Sequence, residues 1–69
     1  MGYSVVITPV AGRRGLLKRG NLAPAWSIGT YYHHPSSARR AALSWLSQHP
    51  GGKAEIIKFK DKSVIESYG

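Results

Sequence analysis

The chain has 69 residues, ten Lys and Arg against three Asp and Glu for a formal charge of +7, and no cysteine. A domain this small buries only about 60% of the surface its unfolded chain exposes. Without thiols it has no disulfide or thiolate metal site, so an ordinary hydrophobic core must hold it, and a reducing, cytoplasmic setting is expected.

No apolar run approaches the roughly 18 to 20 residues that span a bilayer. No basic region followed by an apolar stretch opens the chain, and Val6 stands where a myristoylation start requires Ser or Thr. Neither export nor a membrane partner is expected.

Residues 3–10, YSVVITPV, place Tyr3, Val5 and Ile7 on one face and Ser4, Val6 and Thr8 on the other, the period of a strand, which Pro9 then ends. AGRRGLLKRGNLAP follows without a clear period. It reads as a flexible basic loop at about 11–24 within a single domain covering 1–69. In WSIGTYY, Trp26, Ile28 and Tyr32 share a face, which predicts a second strand with a bulge or close backbone approach at Gly29.

HHPSSARRAALSWLSQHPGG predicts the helix, over about 37–49, from a serine cap to the Pro50-Gly51 stop. Ala38, Ala41, Ala42, Trp45, Leu46 and His49 recur at spacings of three and four and form its apolar stripe, with Arg40, Ser44 and Ser47 on the wet face. KAEIIKFK and SVIESY read as two further strands joined by a tight turn around Asp61 and Lys62. The pattern leaves open whether Ala54 and Ile56 or Glu55 and Ile57 face the helix. The expected fold is α+β, a small antiparallel four-stranded sheet in the order β-β-α-β-β with one helix packed on one face.

Tyr3 to Val6, Trp26 to Ile28, Ala38 to Leu46 and the closing Ser67-Tyr68-Gly69 together resemble a family of small uncharacterised bacterial and phage domains. These open with a Y-x-V-V strand, continue with a W-x-V/I strand and an alanine-rich helix, and close on a hairpin ending S-Y-G. The basic segment between the first two predicted strands is longer than in that pattern, and Asp61-Lys62 replaces the glycine of its last turn. The layout is also similar to that of small phage-encoded inhibitors of host defence. Neither resemblance implies catalytic residues.

Arg13, Arg14, Lys18 and Arg19, on backbone loosened by glycines, can each meet a phosphate without fixed geometry, which would give sequence-tolerant binding of DNA or RNA. The plainer reading is a solvated loop, for which the adjacent Leu16 and Leu17 have little use. At the helix start, Ser36 and Ser37 can cap amides that attract anions. Arg39 and Arg40 oppose the helix dipole there, a conflict that a bound phosphate would relieve. A cap followed by two surface arginines is the alternative.

Lys58 and Lys60, followed by Lys62, can track a nucleic-acid backbone, although lysines also blunt exposed sheet edges, and that reading is favoured. Tyr31, in the Tyr31-Tyr32-His33-His34 cluster, can stack on an unpaired base. Trp26 and Trp45 are expected in the core. His33, His34 and His49 do not make a metal site, and no nucleophile, carboxylate pair or triad can be defended, so no metal, cofactor or catalytic activity is expected.

The leading expectation is a small basic nucleic-acid-binding accessory protein. The alternative is a protein-binding module of the anti-CRISPR-like inhibitor kind, using an open sheet edge or a Leu16-Leu17 loop tip against an acidic protein surface. An open edge could equally serve a homodimer.

Overall fold

The computed structural model describes residues 2–69. It contains β1 (Tyr3–Thr8), β2 (Gly15–Lys18), β3 (Asn21–Pro24), α1 (Pro35–Gln48), β4 (Lys53–Lys58) and β5 (Val64–Tyr68). The fold is α+β as expected, but the sheet has five strands, not four, in the order β3-β2-β1-β4-β5, and every neighbouring pair is antiparallel.

The additional hairpin lies inside the segment expected to be an irregular loop. Its register, Leu17 opposite Leu22 and Lys18 opposite Asn21, leaves a two-residue turn at Arg19 and Gly20. Both have positive φ, 51° and 82°. That is the requirement of the tight turn whose twist matches its flanking strands. Leu17 drives the docking, since its side chain is fully buried in the core.

WSIGTYY, by contrast, is not a strand. Ser27 N–H turns back to the Pro24 carbonyl, and Thr30 N–H reaches the Leu17 carbonyl. Only Tyr32 pairs with β1, through two bonds with Tyr3 of 2.8 and 2.9 Å. Trp26 therefore lies outside the core, 86% exposed, because the strand that would have turned it inward does not form.

The core is one layer between α1 and the sheet. Val5 and Ile7 of β1, Leu17 of β2, and Ala54 and Ile56 of β4 meet Ala38, Ala42 and Trp45 of α1. Each large aliphatic side chain buried here contributes about 1.5–3 kcal/mol. Alanines on both sides of the layer let the helix approach closely. This settles the facing of β4: Ala54 and Ile56 point to the helix, Glu55 and Ile57 away from it.

The helix begins earlier than the serine signal suggests. His34 is the N-cap, with extended backbone and no side-chain cap bond, and Pro35 opens the first turn. Proline fits that position because its fixed φ suits the helix and its missing N–H would have no helical partner. Ser36 and Ser37 lie inside the helix instead of capping it. At the far end the His49 ring stacks on Trp45, with centroids 4.1 Å apart and planes 11° from parallel.

β4 is flanked by β1 and β5, so Lys58 does not guard an edge, and Lys60 follows in the turn. The edge-blunting reading of this lysine row does not hold. The actual edges, β3 and β5, are short strands.

Candidate nucleic-acid interface on the open sheet face

The face opposite α1 carries Ser4 and Val6 from β1, Leu16 from β2, and Glu55 and Ile57 from β4. A register shift after Ile56 brings Val64 opposite Ile57 on the same side. The chain between β3 and α1 returns across this face: a Cβ on Gly29 would stand 3.0 Å from both Leu16 Cβ and the Leu17 carbonyl oxygen. What remains open is a furrow of three hollows, the first two sharing Arg14 and Ala25.

The first hollow lies between Arg13, Arg14 and Trp26. The second shares Arg14 and passes over Val6, Leu16 and Ile57 to Val64 and Lys62. From there Lys62 reaches Phe59, its Nζ 5.0 Å from the ring centroid. Phe59 and Tyr31 then line the third, a cleft of about 490 Å³ with Lys58, Lys60 and Asp61 at its rim.

The third hollow is built on Gly2. The Phe59 N–H donates to the Gly2 carbonyl at 2.9 Å, which extends the β1–β4 pairing by one step. The Tyr31 ring lies directly on the glycine: a Cβ there would fall 1.9 Å from Tyr31 Cζ. Only a residue without a side chain admits the ring at this distance. Tyr31 also meets Phe59 and His33 edge to face, at 5.2 and 5.1 Å between centroids.

All three acids are engaged within the chain. Glu66 takes a two-pronged contact from Arg39, with Nε to Oε1 at 2.8 Å and Nη2 to Oε2 at 2.7 Å, and also accepts from the Tyr68 hydroxyl. Arg39 holds the Glu66 carboxyl down at about 2, with the Tyr68 hydroxyl helping. The Tyr68 phenol is pushed up in turn, chiefly by its bond to Glu66. Asp61 accepts from the Ser63 hydroxyl and N–H, which lowers its pKa. Glu55 stands 3.6 Å from Arg14. Both partners of that pair are partly exposed, and such a contact contributes no more than about 1 kcal/mol, so Arg14 stays available.

Of the ten Lys and Arg, two are ion-paired, Arg14 and Arg39. The other eight have no carboxylate partner among the described residues, and the outward field of the molecule is positive. Among those residues no group of three His, Asp or Glu is placed to hold a metal ion, and no helix is long and apolar enough to cross a membrane.

The structure sorts the residues singled out from sequence. It brings Tyr31, Lys58 and Lys60 together in the third hollow, and Arg13 with Arg14 in the first. Lys18 and Arg19 sit at the β2–β3 turn, where the Arg19 N–H is fixed by Thr30 Oγ1 at 2.8 Å. Leu16 and Leu17 point to opposite faces, Leu17 fully buried and Leu16 half-buried, so they do not form an exposed apolar tip. Arg39 is tied to β5, and Arg40 alone of the helix-start pair is without an ion pair.

Phe59 and Gly2 were not among the residues expected to act. Phe59 carries one usable signal, since it continues the alternation of Glu55 and Ile57, but Gly2 carries none. Comparison with protein-family models, curated proteins and solved structures finds no match to this chain.

Proposed function

We propose that this chain is a non-catalytic nucleic-acid-binding protein whose contact surface is the open face of the sheet. The observation that carries the reading is the charge distribution. Glu66 is locked to Arg39, Asp61 is turned to Ser63 and Glu55 meets Arg14 only loosely, while Arg13, Arg14, Lys60 and Lys62 lie along the furrow and outnumber the two acids near it. Cations spaced along a groove track a phosphate backbone, and binding then releases condensed counterions. The helix start contributes less than the sequence implies, because Arg39 is held by Glu66.

The test is a titration of the nuclease-treated protein with DNA and RNA oligonucleotides at several salt concentrations. Contact with about four phosphates gives a log–log slope near −3 on a single strand. Affinity that is independent of salt would refute the reading.

A second reading keeps its place because of one observation. Trp26 and Ile28, two residues apart in the chain, are 86% and 76% exposed, and Trp26 lines the first hollow, as an anchor for an acidic protein surface would. That reading predicts a stoichiometric protein complex that survives nuclease and is lost with Trp26→Ala.

A further inference from the structure

We propose that the Tyr31–Phe59 cleft receives an unpaired nucleobase, so that the protein selects single-stranded DNA or RNA over duplex. This rests on the nucleic-acid reading above and adds to it a specific receptor and a strand preference.

Three observations point the same way. Tyr31 and Phe59 are large apolar rings left 44% and 42% exposed in a chain with few aromatics to spare for its core. Both are held in place before any ligand arrives. Tyr31 lies on Gly2 and is followed by Tyr32, bonded twice to Tyr3, while Phe59 is anchored at its backbone by the Gly2 carbonyl and its ring packs edge to face against Tyr31. Rings already fixed lose little freedom when a base stacks on them, the advantage of preorganisation.

The third observation is the setting of the charge. Lys60 rims the cleft, and the Lys62 ammonium occupies a position over Phe59. A base arriving on that ring takes the place of the ammonium, and the flexible four-carbon stem of lysine lets the charge move to the adjoining phosphate. Asp61 is the one acid at the rim; its Oδ1 accepts from the Ser63 hydroxyl and N–H, which turn the carboxylate towards Ser63 and leave its charge in place. Duplexes cannot use the cleft, because their base faces are already stacked, whereas every unpaired base presents a π-face whatever its identity.

The experiment measures binding of the full chain to oligothymidylate, oligouridylate and a duplex of about 12 nucleotides, a length within reach of a single small domain. Each is titrated at two salt concentrations, for the parent and for Tyr31→Leu, Phe59→Leu and Tyr31→Phe. Each leucine variant should lose roughly 5- to 100-fold on single strands, keep the salt slope, and leave duplex binding unchanged. Tyr31→Phe should bind as the parent does. Ring-proton resonances of Tyr31 and Phe59 in the unsubstituted protein should move upfield with added oligothymidylate, a readout that needs no variant to fold.

Equal affinity for single strand and duplex, or leucine variants that bind like the parent, would overturn the base receptor and leave salt-dependent phosphate binding standing. Absence of salt-dependent binding to any of the three would overturn the nucleic-acid reading itself. The oligothymidylate and oligouridylate arms separate DNA from RNA preference.

Discussion

The two tryptophans offer opposite outcomes from the same substitution. Trp45 is 6% exposed, packed between α1 and the sheet against Gly52 and the His49 ring. Truncating a buried tryptophan to alanine costs about 3–5 kcal/mol, through lost transfer free energy and the cavity left behind. At roughly 0.05–0.15 kcal/mol per residue, 69 residues give a total stability of about 3.5–10 kcal/mol. Trp45→Ala should therefore remove between a third and all of it. Trp26→Ala at an exposed position should stay within about 0.5 kcal/mol, a midpoint change below about 4 °C for a domain of this size. Urea denaturation followed by far-ultraviolet circular dichroism compares the two directly. A loss above about 1.5 kcal/mol for Trp26→Ala would show that residues 25–30 are packed in a way the structure does not contain, and would refute the assignment of Trp26 to the binding face.

The ion pair of Arg39 with Glu66 makes acid stability testable. Its folded carboxyl lies at about 2, below the ordinary 4.5, so its stabilising contribution is complete above about pH 4.5 and fades as the pH falls towards 2. Glu66→Gln should lower the melting temperature at pH 7 and shrink the difference from the parent below pH 3; a constant difference would contradict the pairing. Gly15→Ala should destabilise the hairpin by about 1–3 kcal/mol, because a Cβ there falls 2.1 Å from the Ala23 carbonyl oxygen; a melting curve equal to the parent's would contradict the β2–β3 register. The double variant Arg13→Gln, Lys60→Gln, with one change at each end of the furrow, should flatten the single-strand salt slope by about 1.4. An unchanged slope would take both ends out of the contact surface.

What could be read from the sequence follows from how local each signal is. β1, α1 and the β4–β5 hairpin announce themselves because period and stop signals coincide within a few residues, as in Val5 and Ile7 or in the Ala38, Ala42, Trp45 stripe. β2 and β3 do not, because each has four residues, too few to establish a period. Their turn, moreover, is made by Arg19-Gly20, where asparagine or aspartate before the glycine would have been recognised. Trp26 and Ile28 alternate like strand residues, yet no free strand edge pairs with them, and pairing is a property of the sheet, not of the segment.

The site divides in the same way. Tyr31, Lys58 and Lys60 are visible as residue types suited to nucleic acid. Their convergence depends on Tyr3 lying opposite both Tyr32 and Lys58, a placement set by long-range register that no short stretch encodes. Leu16-Leu17 shows the converse: two adjacent apolar residues in a basic segment look like a contact tip, but within a strand neighbours point to opposite faces.

The most direct test of the account is to follow backbone amide and tryptophan indole resonances during titration with a short oligothymidylate at low salt. Shifts are expected only on the open face and its rim, at Gly2, Tyr31, Phe59, Lys62, Arg14 and the Trp26 indole, with the Trp45 indole and the middle of α1 unmoved. Shifts centred on the helix start around Arg40, or on the β2–β3 turn at Lys18 and Arg19 with the furrow silent, would contradict it.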